Sequence, residues 1–272
     1  MTNNPKIIRG AGGPPPPSSP PQPTRTPDTL HSRQFATLLD LISEGEIEGF
    51  ATASKAGLTK GTTAYNNAAL KDIFLNDTAI LQSSASNTSP ASTDFNFQDV
   101  SFTPRFGTSN QEHISGIESS QSINPVGVTV TNSTPVTRTI SNSDIDAVKV
   151  TVTFPQIQVA TDAGDLLGSS VNLQIQIQYN GGGFTTLIDD TVTGRTADAY
   201  QKEYRVNLTG SFPVDVKVVR VTADATSAST VNTFQFTSFT EIIDDKQTYL
   251  NSAYTSLRLD SQQFSSIPSR KY

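Results

Sequence analysis

Apolar positions change their period along the chain. In SRQFATLLDLISEG, Phe35, Leu38, Leu39 and Ile42 recur at i, i+3, i+4 and i+7, the spacing of one helix face. Ser32 is placed to cap that helix and Gly45 to stop it, so the pattern predicts one short N-terminal helix over 32–45. EIEGFA then leaves it as an extended segment. From there the period falls to two. LKDIFLNDTAIL predicts a hairpin turning near Asn76-Asp77. FNFQDVSF is apolar at 95, 97, 100 and 102, so its alternation slips near Gln98-Asp99 and a bulge is expected there.

A denser series of strands runs from about Val126 to Ile243. DAVKVTVTF sets Val148, Val150, Val152 and Phe154 on one face. In VNLQIQIQYNGGGF, Leu173, Ile175, Ile177 and Tyr179 face one way and Gln174, Gln176 and Gln178 the other, with Gly181-Gly182-Gly183 making the turn. EYRVNL, FPVDVKVVRVTA and NTFQFTSFTEII add further strands, and short strands at this spacing predict a β-sandwich. The fold class is therefore mainly β. Residues 1–30 differ: GGPPPPSSPPQPTRTP cannot pack a core and reads as an extended or disordered arm. Either a flexible tail or an arm draped over a neighbouring subunit fits that composition.

Composition narrows the chemistry. The 272 residues hold 19 basic and 25 acidic side chains, a net charge of −6, which argues against a surface built to neutralise phosphates. There are no cysteines, so thiol nucleophiles, disulfides and thiolate metal sites are excluded. His31 and His113 are the only histidines, too few for a multi-histidine zinc site. The opening MTNNPKIIRGAGG has no apolar core of an ordinary secretory signal, and no apolar run approaches the ~20 residues of a membrane helix, so no stable membrane insertion by this segment is expected.

Three stretches concentrate candidate chemistry. SEGEIEG alternates Glu44, Glu46 and Glu48 with Gly45, Ile47 and Gly49. On a strand, alternate carboxylates stand ~6.6–6.8 Å apart, a separation that also occurs in glycosidase pairs. Such pairs normally come from different strands in an aromatic cleft, and this chain has no tryptophan. No calcium-loop spacing is present either. The glycines favour a structural role, in conformations that a side chain would obstruct. RFGTSNQ could meet an anion, but has neither a phosphate-loop lysine nor a following helix; Arg105 is expected to pair with a carboxylate or backbone carbonyls. TEIIDDKQ packs acids at a strand end, where an ion-paired or solvated rim is expected. No catalytic, cofactor or metal residue is assigned. The structural or interface residues are Ser43, Glu44, Gly45, Glu46, Ile47, Glu48, Gly49, Arg105, Gly107, Gln111, Glu241, Asp244 and Lys246.

LLDLISEGEIEGF resembles the opening signature of the tail-tip attachment protein J family of long-tailed bacteriophages. The resemblance continues, in order, through LKDIFLND, RFGTSNQ, STPVTRTI, VNLQIQIQYNGG, FTEIIDDKQTYLNSA and LDSQQFSSIPSRKY. It implies a hub-type β domain from residues 31–125 and 236–272, with a β-sandwich of 126–235 inserted into it. It further implies a homotrimer at the distal end of the virion tail, assembled in the bacterial host cytoplasm. Its neighbours would be other tail-tip and distal tail proteins, the tape-measure protein among them. Such a hub ends the tail tube, carries the central fibre and lets phage DNA pass without specific binding. Family members continue well past the SRKY position, so a split gene or a fragment is expected, and receptor recognition does not carry over. Two other classes fit the bare residues: a β-sandwich adhesin or carbohydrate-binding module, and a glycoside hydrolase using Glu44 and Glu46.

Overall fold

The computed structural model describes residues 22–272. Its elements, in chain order, are β1 (Phe35–Glu44), α1 (Ala51–Lys55), α2 (Thr63–Ala69), β2 (Phe74–Leu75), β3 (Thr78–Ala79), β4 (Ser101–Phe106), β5 (Glu118–Val130), β6 (Val136–Ile140), β7 (Ala147–Phe154), β8 (Gln158–Ala160), β9 (Leu166–Leu167), β10 (Ser169–Tyr179), β11 (Thr185–Gly194), β12 (Tyr200–Asn207), β13 (Val214–Arg220), β14 (Thr230–Val231), β15 (Phe234–Asp244), β16 (Ser252–Asp260) and β17 (Arg270–Lys271). The protein is mainly β.

The helix expected over 32–45 is the strand β1, and the two short helices follow it instead. The apolar spacing that suits a helix also alternates: Leu38 and Ile42 pack toward a core while Phe35, Leu39 and Leu41 stay exposed. An antiparallel partner, β16, decides between the two readings, because pairing and burial outweigh local propensity. Ser32 is no helix cap; its hydroxyl accepts from the Gln201 amide at 2.9 Å. Gly45 is no helix stop but bridges Ser252 at φ +94°.

β16 is the centre of a three-stranded sheet ordered β1-β16-β4. The chain leaves this sheet after β4 and rejoins it only at β16. Beneath lie the helices and the small sheet β17-β2-β3, around a core that includes Tyr65, Ile73, Leu75, Ile80, Leu81 and Leu257. The predicted hairpin is present, with Asn76 and Asp77 at φ +47° and +64°, as a tight two-residue turn requires. The slip at Gln98-Asp99 marks irregular chain with Asp99 at φ +55°, and pairing begins only at Ser101.

Of the strands between Glu118 and Asp244, eight form two four-stranded antiparallel sheets, β11-β10-β13-β6 and β12-β7-β15-β5, and the short β14, β8 and β9 form a third. Their inner faces supply the second core. β10 alternates as its sequence does, with Leu173, Ile175 and Ile177 buried. Val148, Val150, Val152 and Phe154 of β7 are fully buried opposite them. Residues 22–30 lie against this same sandwich. Arg25 bridges Leu166, Thr26 N donates to the Leu166 carbonyl at 2.9 Å, and Asp28 pairs with Arg195. That part of the arm thus packs on its own chain; the reading of residues 1–21 as an extended or disordered arm lies outside the described residues.

Candidate functional site

The acidic opening segment is built around backbone contacts. After β1, Gly45 N donates to the Asn251 carbonyl at 2.7 Å and Ile47 N to the Phe106 carbonyl at 2.9 Å, which ties the segment to the loop before β16 and to the end of β4. Gly107, at φ +87°, faces the turn at Gly45: a Cβ on it would stand 2.3 Å from the Gly45 carbonyl oxygen and 2.9 Å from Glu46 Cα. Gly49, at φ +140°, would put a Cβ 2.2 Å from the Tyr65 hydroxyl. That hydroxyl accepts from the Phe50 amide at 3.0 Å, and burial raises its pKa above the ordinary tyrosine range. Both glycines stand where the backbone of one segment meets an atom of another at contact distance.

The carboxylates of Glu44, Glu46 and Glu48 point outward. All three residues are exposed, and among the described residues no side chain bonds to any of their carboxylates. The Ser43 hydroxyl donates to the Glu44 carbonyl at 3.0 Å, and Lys60 Nζ to the Ile47 carbonyl at 3.3 Å. Among the described residues, no group of three or more His, Cys, Asp or Glu is placed to hold a metal ion. No helix there is long and apolar enough to cross a membrane.

Two side chains clamp the same region. Gln111 accepts from the Gly107 amide at 2.8 Å and donates to the carbonyls of Tyr249 at 2.6 Å and Ser252 at 2.9 Å. Arg105 donates to three carbonyls, those of Pro104, Glu112 and His113. The guanidinium is thus spent on backbone oxygens.

The strand end around TEIIDDKQ is an ion-paired rim. Arg205 of β12 reaches Glu118 at 3.0 Å and Asp244 at 2.6 Å, and Lys246 reaches Asp146 at 2.7 Å. Burial alone would raise Asp146, but hydrogen bonds from Lys246 and the Asp244 amide hold its carboxyl below the usual range. Glu241 sits mid-strand in β15, paired between Ser122 and Val148, away from the rim. Two of the outward glutamines of β10 are tied within the sheet: Gln174 donates to Asp189 at 2.9 Å and Gln176 to Gln174 at 3.1 Å.

A cavity of about 840 Å³ lies between the outer face of β1 and the sandwich, lined by Arg33, Phe35, Leu39, Tyr200 and Arg258 among others. Its cations are mostly engaged: Arg33 with Asp99 at 2.5 Å, Lys149 with Glu118 at 3.6 Å and Lys202 with Asp190 at 2.6 Å. Arg258 instead lies over the Phe35 ring, 3.5 Å from its centroid. Sequence reasoning also missed two buried arginines. Arg195 and Arg220 are each 1% exposed, and burial lowers the pKa of Arg220. Arg220 donates to the Asn232 carbonyl at 2.7 Å and to its side-chain oxygen at 2.9 Å. An arginine closing a strand after Val214, Val216 and Val218 was the available signal.

Comparison with known proteins bears out the resemblance read from the sequence. Residues 120–245 match the family model described as the FNIII-A domain of tip attachment protein J. The chain is 32% identical over 248 residues, 90% of its length, to the tip attachment protein J of Escherichia phage SECphi4. It is 26% identical over 196 residues, 72% of its length, to that of Escherichia phage SECphi27. It spans only 20% and 16% of those relatives' lengths. A solved structure described as "CBM4 structure and function" aligns with 49% of this chain and 74% of its own, at 11% identity and a TM-score of 0.20, too low to carry weight.

Proposed function

We propose, on the premise of kinship with the tip attachment protein J family, that this chain is a structural part of a phage tail tip. It sits at the distal end of the tail, in three copies around the axis. It helps to end the tube, bears the central fibre and lets the genome leave. The observation that carries this reading is the 32% identity along 90% of the chain to a protein named for that place. The site's geometry supports it. The signature segment holds two parts of the backbone together, while among the described residues its exposed carboxylates make no hydrogen bond or ion pair with a side chain. A structural, non-enzymatic role is in keeping with the family, and the glycine contacts around this segment support it.

Electron cryomicroscopy of intact particles, with the chain identified by a fused tag, tests the placement. Density for three copies at the distal tail end is the expected result. Density on the capsid or along the side of the tail overturns it.

A further inference from the structure

The sheet edges of this protein are unequally protected. An exposed edge strand displays unpaired N–H and C=O groups and invites another strand, so long edges are usually blunted by proline, charge, bulges or shortness. β4 carries Pro104, and β5 carries Pro125 with two register shifts against β15. β11 carries Asp189 and Asp190, and β12 carries Lys202, Glu203 and Arg205. β6 is five residues long. β1 has the least protection: it runs ten residues without proline, pairs only with β16, and has a single register shift close to its end, between Leu41 and Ser43. Its one internal charge, Asp40, faces away from the exposed row and is bound by Arg270 at 2.6 and 2.8 Å and by the Tyr272 hydroxyl at 2.5 Å.

The same strand shows an apolar row. Phe35 is 37% exposed, Leu39 40% and Leu41 64%. The row continues past the strand end, because Leu41 is paired with Tyr254, whose ring meets that of Tyr249 at 5.2 Å, and Leu250 beside it is 48% exposed. Contiguous exposed apolar surface of this kind marks an interface. The exposed Glu44, Glu46 and Glu48 continue from its far end.

We propose that the free edge of β1 takes up an extended strand from another tail-tip polypeptide, one with apolar residues at alternate positions and Lys or Arg where it passes these glutamates. Backbone hydrogen bonds to β1 supply the affinity and the row Phe35, Leu39, Leu41 the register. The charge argues for a different polypeptide: a second copy running parallel would set the same glutamates against one another. Tail-tip polypeptide to supply such a strand exists in the relative from phage SECphi4, about four-fifths of whose length lies outside the stretch this chain matches. The inference rests on the tail-tip reading.

The test places a photo-reactive benzoylphenylalanine at Leu39 or Leu41 of the full chain during phage assembly, with one at Val128 of β5 as control. The expected result is a cross-link from 39 and 41, and not from 128, to a non-identical polypeptide at a peptide holding Lys or Arg. Glu44→Lys, Glu46→Lys and Glu48→Lys together should abolish that cross-link. The alternate amides of 35–44 that face away from β16 should exchange about tenfold more slowly in particles than in the isolated chain, as one added hydrogen bond each would give. A cross-link to another copy of this chain, or none in particles that contain it, overturns the inference. Absence of the chain from purified particles overturns the tail-tip reading as well.

Discussion

The carbonyl oxygen of Gly45 occupies the space in which a side chain on Gly107 would begin, 2.3 Å from the position of its Cβ. The two residues come from opposite ends of the β1-to-β4 segment, and neither motif alone discloses the contact. The pair locks the turn after β1 onto the end of β4.

Gly107→Ala should therefore destabilise the protein by about 3 kcal/mol or more, since it adds a backbone collision to an unfavourable φ. Gly45→Ala, at φ +94° with nothing within 4 Å of its Cβ, should cost only about 1–2 kcal/mol. Urea denaturation midpoints of the two variants measure the difference. Equal losses would mean that the contact with Gly45 adds nothing.

Gln111→Ala removes one acceptor and two donated hydrogen bonds that join Gly107, Tyr249 and Ser252. A loss of about 1–3 kcal/mol is expected, with faster amide exchange at Gly107. Gln111→Glu should not restore it, because a carboxylate can accept from the Gly107 amide but cannot donate to the two carbonyls.

Replacing Glu44, Glu46 and Glu48 together by Gln should leave stability within about 0.5 kcal/mol per site, as surface substitutions without partners do. Thermal unfolding of the triple variant, compared with Gly49→Ala, separates the carboxylates from the glycines. Gly49→Ala should be the far more damaging change, because its Cβ would meet the Tyr65 hydroxyl at 2.2 Å.

Acid should weaken the fold through its bound aspartates. Burial alone would raise Asp40, yet hydrogen bonds from Arg270 and Tyr272 hold its carboxyl below the usual range; Asp190 is lowered in the same manner by Lys202 and Tyr204. A depressed carboxyl contributes stability that is complete above the unfolded-state value of about 3.9 and lost as pH falls through the lower folded value. Melting temperature should then fall steeply below about pH 4, and Asp40→Asn should flatten part of that slope.

The sandwich was legible because its strands alternate cleanly. Leu173, Ile175 and Ile177 are buried and their glutamines are not, a pattern that one face of a sheet imposes residue by residue. β1 was misread because Phe35, Leu38, Leu39 and Ile42 fit one helix face but divide between the two faces of a strand, and only the pairing with β16, more than two hundred residues later, selects the strand. The helices were missed for the opposite reason. ATASK and TAYNNAA hold few large apolar residues to set a period, and the N-terminus of α1 is capped from outside by Asp72, which accepts from Thr52 N at 2.7 Å. At the site, the glycines were readable as conformational signals. The partners that make them obligatory, Gly45 for Gly107 and Tyr65 for Gly49, were not, since those contacts join distant segments. Arg105 was readable as a clamp on backbone oxygens; Arg220 was signalled only by its place on the buried alternation of Val214, Val216 and Val218, and nothing local marks Arg195 as buried.

The sandwich leaves and returns at one place: Glu118 of β5 is paired with Asp244 of β15, and Asp245 N donates to the Ile117 carbonyl at 2.7 Å. Tension between the two lobes would thus act on one end of a single ladder and open it rung by rung, like a zip, instead of straining every rung at once. The rung that bears such a pull first is the one bolted by Arg205 to both Glu118 and Asp244. Removing that guanidinium should lower the force at which the ladder begins to open.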